Sequence, residues 1–281
     1  MSPLILLASF PKSGNTWLRI LLSNLLYADE APISINDIRV GGFQCDKREL
    51  FDQLAPWDAS DLTLAQIDCL LPDFYRQALD QHSGGPVYLK THDLLRKNAD
   101  GEWVFPAERV TAAIQIVRHP LDVLPSYAQH FGLDHASALQ RLLAPDPSTG
   151  PQQQDKRRLP ERHGSWLEHT LSWQAADLPF PVHFARYEDL RARPVEEFGR
   201  LLQAIGLTFS EAELNTALHH SSFSALQQQE NRQGFRERYQ QSTGAFFRKG
   251  QVGSGRQEVA PALQQQLQTA LQDWLPRWGY Q

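Results

Sequence analysis

The sequence predicts a single α/β domain spanning residues 1–281, with a central parallel sheet covered by helices on both faces. Short apolar runs typical of buried strands alternate along the chain with segments in which apolar residues recur at helical spacing. With 41% hydrophobic and 21% charged residues, the 281-residue chain has a globular composition and can bury a large core. Strands alternating with helices favour a parallel sheet, and ligands of such sheets lie beyond the carboxyl ends of the strands.

Four strands and five helices carry this prediction. The strands are expected at Leu4 to Ser9, Val87 to Thr91, Ala112 to Val117 and Val182 to Ala185. The helices are expected after Pro11, where Trp17, Ile20, Leu21 and Leu25 recur at helical spacing, and at Leu62 to Leu79, Leu121 to His130, Trp166 to Ala176 and Val195 to Ile205. Polar residues follow the strand ends, so the chemistry is expected there.

Composition narrows the function classes. The net charge of −5 gives no electrostatic case for a nucleic-acid partner. Cys45 and Cys69 cannot build a disulfide framework and lack zinc-ligand spacing, so a reducing interior and no metal are expected. The apolar N-terminus lacks a basic region and reads as a core strand, and no stretch reaches the roughly 18 to 20 apolar residues of a membrane span. We therefore expect a soluble, cytoplasmic protein.

The segment PKSGNTW, Pro11 to Trp17, lies where the first strand gives way to a helix. Backbone N–H groups and the positive end of the helix dipole make such a junction an anion site. Lys12 supplies a point charge, Gly14 permits close backbone approach, and Ser13, Asn15 and Thr16 add donors. A Walker A loop would need the lysine after the second glycine, and this chain does not supply that order.

Two polar segments interrupt the alternation. Ala144 to Gly164 is rich in Pro, Gln and charge, which is typical either of a solvated surface excursion or of a lid or substrate-binding loop. Gln227 to Gln241 separates the main body from a C-terminal tail. The resemblance to a known family that is described next implies that residues 227–256 form a tail that closes over the cofactor.

PKSGNTW and its strand resemble the phosphosulfate loop of sulfotransferases that use 3′-phosphoadenosine 5′-phosphosulfate (PAPS), most nearly the shorter microbial members. Further blocks follow in the family's order: KTHDL at 90–94, IVRHPLDVLPSYAQHF at 116–131, GSWLEHTLSW at 164–173, RYEDL at 186–190, SSF at 221–223 and FFRKG at 246–250. The resemblance extends from Leu4 to Gly253. It implies a P-loop-like 5′-phosphosulfate loop, PAPS as donor, no metal, and sulfuryl transfer to a hydroxyl or amine of a small-molecule acceptor.

The resemblance also implies catalytic roles for Lys12, Lys90 and His92. Lys12 would neutralise the phosphosulfate and help the bridging oxygen to leave. His92 follows a strand, and an imidazole titrates near neutral pH, so it can accept the acceptor's proton. Lys90, two residues earlier on the same face of that strand, would stabilise the developing sulfuryl charge.

The donor-binding residues are implied in the same way. The loop residues Ser13, Gly14, Asn15 and Thr16 would hold the 5′-phosphate. The 3′-phosphate would be bound by Arg118 and Ser126 and covered by Phe247, Arg248, Lys249 and Gly250. The adenine would lie against Trp17, Tyr187, Ser221 and Phe223. Where cytosolic animal members have GDWK and then a dimerisation motif, this chain has GSGR at 253–256, so the resemblance predicts no oligomeric state.

The acceptor is not specified by these motifs. Residues 39–57, 129–166 and 227–247 connect or overhang the strand ends and are expected to line its pocket. The aromatic residues among them, Phe43, Phe51, Trp57, Phe131 and Phe235, suggest a partly apolar acceptor. Two alternatives stay open: a P-loop-type kinase that uses ATP, which lacks its GK[ST] sequence here, and a non-catalytic nucleotide-binding protein, which would not need His92.

Overall fold

The computed structural model describes residues 2–28, 31–41, 47–144 and 157–280. Four parallel strands form the central sheet: β1 (Leu4–Ser9), β2 (Val87–Thr91), β3 (Val110–Val117) and β4 (Val182–Arg186). Their order is β2-β1-β3-β4, so β1 lies inside the sheet, and all six of its residues are buried.

Helices connect and cover these strands. In the described part of the chain they are α1 (Asn15–Tyr27), α2 (Arg48–Leu54), α3 (Leu64–Asp80), α4 (Pro120–Phe131), α5 (His135–Leu143), α6 (Trp166–Ser172), α7 (Tyr187–Ala192), α8 (Pro194–Ala204), α9 (Glu211–His220), α10 (Phe223–Gln233), α11 (Gly255–Glu258) and α12 (Pro261–Leu271). Short 3-10 turns occur at Ala59–Asp61 and Leu275–Trp278. None of these helices is long and apolar enough to cross a membrane.

Alternating side chains of β1 enter two different apolar clusters. Leu4, Leu6 and Ala8 pack on one face with α2 and α3, whereas Ile5 and Leu7 pack on the other face with α1, α8 and α9. A third cluster joins α4, α5, α6 and α12. Because helices cover both faces of a parallel sheet, the structure confirms the predicted fold class.

The four predicted strands are present, and β3 begins two residues earlier than expected. Helix α3 starts at Leu64 because Thr63 and Gln66 form a capping box that fixes its first turn. Helix α6 stops at Ser172, short of the expected Ala176. The buried Trp173 ends it, and its indole N–H donates to the Asp93 carbonyl at 3.0 Å.

The strand register brings the carboxyl ends of all four strands to one edge. Ala8 pairs with Thr91, Ser9 with Ile116, and Val117 with Arg186. The segments that leave this edge carry the polar residues that the sequence analysis singled out.

Asn24 of α1 connects its own helix with the segments that contain Ile33 and Ser221. It lies on α1 and is 4% exposed. Its amide accepts from the Ile33 N–H at 2.9 Å and donates to the Ile20 carbonyl at 3.0 Å and to Ser221 Oγ at 3.3 Å. The hydrogen-bonding groups of the buried Asn24 amide are therefore satisfied within the protein, which gives this residue a structural role.

Asn24→Ala should lower the free energy of unfolding by about 1–3 kcal/mol, because the partly buried Ile33 N–H and the buried Ser221 hydroxyl lose their partner. Urea denaturation measures this change. Thr216→Ala, which removes an exposed helical hydroxyl, is the control and should change the stability by less than about 0.5 kcal/mol. Equal effects in the two variants would contradict the assigned role of Asn24.

Candidate active site

A cavity of about 810 Å³ lies at the carboxyl ends of the strands. The loop after β1, the ends of β2 and β3, the start of α7 and residues 246–250 all contribute to its lining. We call it the strand-end cavity. It lies where the alternation of strands and helices predicted the chemistry to lie.

The loop between β1 and α1 has an unusual backbone. Lys12 and Gly14 adopt left-handed conformations, with φ of 69° and 112°. A Cβ on Gly14 would lie 2.9 Å from the Tyr187 ring, so this position has no room for a side chain. Gly14 caps α1 without a side-chain hydrogen bond, and the first turn carries no acidic residue. The unpaired N–H groups of that turn therefore form an anion site.

Lys12 is held in a cationic environment. Its Nζ lies 3.6 Å from the centroid of the Phe246 ring. Burial, followed by the charges of Arg118 and Arg248, lowers the pKa of Lys12 to about 7, although Glu230 opposes the shift. Three cations held this close together favour a bound anion.

Arg118 leaves the end of β3 and is 7% exposed. Its guanidinium lies 4.4 Å from the centroid of the Tyr187 ring and donates to the carbonyls of Gln251 at 3.0 Å and Lys12 at 3.4 Å. Its Nε is buried without a hydrogen-bond partner among the described residues, and the same is true of Arg248 Nε. Unsatisfied buried guanidinium donors are costly, and phosphate oxygens would satisfy them.

Carboxylates hold the segment 246–250 over the cavity. Glu230 of α10 accepts from the backbone N–H groups of Phe246 at 2.6 Å and Phe247 at 2.9 Å. Glu258 pairs with Arg248 and, at 3.3 Å, with Lys249. These contacts fix the two basic residues at the cavity wall.

The GSGR segment, to which the sequence analysis assigned no role, is bonded to α4. Asp122 accepts from the N–H groups of Gly253 at 2.6 Å and Gly255 at 2.8 Å. A Cβ on residue 255 would lie 2.0 Å from the Leu121 carbonyl oxygen, so only glycine permits this approach. Helix α4 also carries Ser126, which lines the cavity.

His92 is held in one tautomer. Its Nδ1 lies 2.6 Å from the Ser9 carbonyl oxygen, which can only accept, so Nδ1 carries the proton and Nε2 keeps its lone pair. Burial and the charge of Lys90 hold the pKa of His92 well below its usual value. The imidazole is therefore neutral at neutral pH and able to accept a proton.

Glu161 was not singled out by the sequence analysis. Its carboxylate accepts from the His92 backbone N–H at 3.1 Å. Burial would raise the pKa of Glu161, but the charge of Lys90 and the neighbouring His163, whose Nε2 lies 3.5 Å from a carboxylate oxygen, hold it well below its usual value. The one sequence signal that could have indicated Glu161 is that it lies in a charged segment.

That segment, Ala144 to Gly164, is described only in part, because residues 145–156 lie outside the described residues. In its described part, the Arg162 N–H donates to an Asp93 carboxylate oxygen and the Arg162 carbonyl accepts from the Leu94 N–H.

Most of the predicted site residues line the strand-end cavity. They are Lys12, Gly14, Asn15, Thr16, Trp17, Lys90, His92, Arg118, Ser126, Tyr187, Phe223, Phe247, Arg248, Lys249 and Gly250. Two others are fully buried outside its lining. Ser13 Oγ has no partner among the described residues, and Ser221 is bonded to Asn24 and, through its carbonyl, to the Trp17 indole at 3.0 Å.

The aromatic residues expected around the acceptor are dispersed. Phe131 lines the cavity. Phe51 and Phe235 are buried in apolar clusters, Trp57 is 61% exposed, and Phe43 lies outside the described residues. Membership of a segment that connects the strands did not distinguish core residues from pocket residues. Among the described residues, no cluster of His, Cys, Asp and Glu is arranged to hold a metal ion.

The Sulfotransferase domain family matches residues 2–279 of this sequence. The chain belongs to this family. Mouse sulfotransferase 1B1 is 25% identical over 230 residues, which cover 80% of this chain and 65% of that protein. Mouse sulfotransferase 1 family member D1 is 22% identical over 263 residues, covering 92% of this chain and 78% of the relative. The match thus spans 65% and 78% of the length of these two relatives.

Two solved structures share the sulfotransferase fold with this chain. Mouse sulfotransferase SULT7A1 complexed with PAP has a TM-score of 0.58 and 19% identity, covering 96% of this chain and 83% of that one. Retinol dehydratase in complex with androsterone and the inactive cofactor PAP has a TM-score of 0.59 and 18% identity, covering 97% and 81%. At these identities the likeness shows the shared fold.

Asp122→Ala should release the GSGR segment of this sulfotransferase domain, because two backbone N–H groups lose their carboxylate acceptor. Hydrogen exchange should accelerate in residues 251–259 and stay unchanged in α3, which is remote from α4. Asp134→Ala is the matched control, since it removes another carboxylate that accepts a backbone N–H, at the start of α5. Unchanged exchange at 251–259 in Asp122→Ala would contradict the assigned anchor.

Proposed function

We propose that this sulfotransferase-family protein transfers a sulfuryl group from PAPS to a hydroxyl or amine of a small-molecule acceptor, with His92 as the general base. One observation carries the proposal: a cationic cluster of Lys12, Arg118 and Arg248 shares a cavity with a neutral histidine whose Nε2 keeps its lone pair. PAPS, when bound, supplies a sulfuryl group on a phosphate leaving group.

The residues present fit this donor. Lys12 and the first turn of α1 would hold the 5′-phosphosulfate. The Ser13 N–H donates to the Phe10 carbonyl at 3.2 Å within this loop. Arg118, Ser126, Arg248 and Lys249 would hold the 3′-phosphate, as the partnerless Nε atoms of the two arginines support. The adenine would lie among Trp17, Tyr187 and Phe223, and Ser221 would act indirectly by bonding the Trp17 indole.

His92 would act on the acceptor. Its Nε2 takes the acceptor's proton as the acceptor oxygen or nitrogen bonds to sulfur, and the bridging S–O electrons leave with the phosphate. The Ser9 carbonyl maintains the required tautomer. Lys90 lines the same cavity and would stabilise the sulfuryl oxygens, while Lys12 would stabilise the leaving phosphate.

The similar proteins support a small organic acceptor. Retinol dehydratase was solved with retinol and with androsterone, and both are largely apolar alcohols. In this chain, Ile38 and Phe131 are apolar residues of the cavity lining, which fits a partly apolar acceptor. An ATP-dependent kinase is the weaker candidate, since ATP has no 3′-phosphate for Arg118 and Arg248 and the loop lacks GK[ST].

The domain organisation belongs to the same proposal. One domain spans the chain, with residues 144–164 as a lid or substrate loop and residues 227–256 as a tail over the donor. The bonds from Arg162 to the segment after β2 support a substrate-loop role for residues 144–164. The position of residues 246–250 in the cavity lining supports the role of residues 227–256 as a tail over the donor.

His92→Ala should lower kcat by about 10²- to 10⁴-fold, because general-base catalysis is lost. Its affinity for adenosine 3′,5′-bisphosphate (PAP) should stay within about twofold of wild type, since His92 is assigned no donor contact. Turnover from PAPS and calorimetry with PAP measure the two. His219→Ala, outside the cavity lining, is the control, and normal turnover in His92→Ala would remove His92 from the base role.

The affinity for PAP should depend on pH through Lys12. Its pKa of about 7 means that Lys12 is charged below pH 7 and largely neutral at pH 8 to 9, where binding an anion requires proton uptake. Affinity should therefore fall by up to about tenfold per pH unit above pH 7. Calorimetry in buffers of different ionisation enthalpy measures that uptake. Lys12→Met should remove the slope, and a slope that survives in Lys12→Met would contradict the assignment.

A further inference from the structure

His130 lines the strand-end cavity and has no role in the proposed transfer. It follows Ser126 by one turn of α4, so the two side chains lie on the same face of that helix. The charges of Lys12 and Lys90 both act on its imidazole. Those two lysines are assigned to the leaving phosphate and the sulfuryl oxygens, so His130 lies on the side of the cavity where the acceptor must meet the donor.

Three aromatic rings surround the imidazole of His130. Its centroid lies 4.6 Å from that of Phe131, 5.7 Å from that of Tyr239 and 5.8 Å from that of Phe246. The two phenylalanine rings meet it edge-on, with interplanar angles of 72° and 81°. All three aromatic residues also line the cavity, so His130 is a polar group within an aromatic wall.

The residue before His130 fixes the loop that carries two of these rings. Gln129 Nε2 donates to the Ala245 carbonyl at 2.7 Å, and the Gln129 carbonyl accepts from the Thr243 N–H at 3.2 Å. A Cβ on Gly244 would lie 2.8 Å from the Gln129 amide nitrogen, so the loop passes directly against α4. The fold therefore sets the position of the aromatic wall relative to His130.

The imidazole of His130 is a neutral hydrogen-bonding group. Burial, followed by the charges of Lys12 and Lys90, lowers the pKa of His130 to about 2, so at neutral pH one ring nitrogen is a donor and the other an acceptor. Neither nitrogen is hydrogen-bonded to another residue in the described part of the chain. A purely apolar acceptor packed against this wall would exclude water from the imidazole and leave it unpaired, which is costly.

We propose that His130 determines acceptor specificity by hydrogen-bonding a second polar group of the acceptor, a hydroxyl or a carbonyl, while the reacting hydroxyl or amine meets His92. The inference rests on the proposed function and narrows its substrate class to partly apolar compounds with two hydrogen-bonding groups. The aromatic rings of the wall remain available for the apolar body of such an acceptor.

Three dihydroxybenzenes and the three matching cresols test the inference. Each cresol has a methyl group where its partner has the second hydroxyl, in the ortho, meta or para position. The readouts are kcat/KM with PAPS and, by calorimetry, the affinity for the protein saturated with PAP. After correction for its two equivalent hydroxyls, the best dihydroxybenzene should exceed its cresol by at least about fivefold, as expected for one hydrogen bond to a neutral group.

His130→Phe should bring this preference close to one, because the replacement ring keeps the aromatic wall and has no polar atom. His130→Leu, a second apolar replacement, should do the same. Both variants should bind PAP within about twofold of wild type, since His130 is assigned no donor contact. His219→Phe, which replaces an exposed histidine outside the cavity lining, is the matched control and should keep the preference.

The inference is overturned if the cresols equal or exceed the dihydroxybenzenes in the wild type, if no dihydroxybenzene binds the PAP-saturated protein, or if the preference survives in His130→Phe or His130→Leu. Loss of PAP binding in the wild type would instead overturn the proposed function.

Discussion

The site depends on positive charge that is collected where the strands end. Burial, followed by the charges of Arg118 and Arg248, lowers the pKa of Lys12 to about 7, and the Nε atoms of both arginines are buried without a hydrogen-bond partner among the described residues. Such an arrangement is unfavourable for the protein alone and becomes favourable when an anion is bound. The loop with left-handed backbone at Lys12 and Gly14, the uncapped start of α1 and the anchored tail all contribute to this capacity to bind an anion.

Several acidic residues near the site bond to backbone N–H groups or to basic side chains and do not line the cavity. Glu230 binds the N–H groups of residues 246 and 247, and Asp122 binds those of 253 and 255. Glu161 likewise binds the backbone of His92. These carboxylates satisfy buried amides, so the basic side chains that they position keep their capacity for a ligand. His92 benefits as well, since burial among cations keeps its imidazole neutral.

The sequence was informative wherever local pattern decides structure. The apolar runs located the strands, and the break at Pro11 located the anion loop, because strand burial and helix starts are set by neighbouring residues. Family-like blocks brought fifteen of the predicted site residues to one cavity. The sequence was less informative where distant segments meet. Glu161 and Asp122 act through contacts 69 and more than 100 residues away. Phe51 belongs to the segment 39–57 that was expected to line the acceptor pocket, yet it packs against Phe74 in the core. Helix and strand periodicity contains no information on such pairs.

The central claim is that the cationic cluster is built for a nucleotide with both a 5′- and a 3′-phosphate. Calorimetric titration of the wild type and Arg118→Ala with PAP, AMP and ATP tests it most directly. We expect the wild type to prefer PAP over AMP and ATP by at least about tenfold, and Arg118→Ala to lose most of that preference, because Arg118 is assigned to the 3′-phosphate together with Ser126, Arg248 and Lys249. Equal or tighter binding of ATP in the wild type, or an undiminished preference for PAP in Arg118→Ala, would contradict the account.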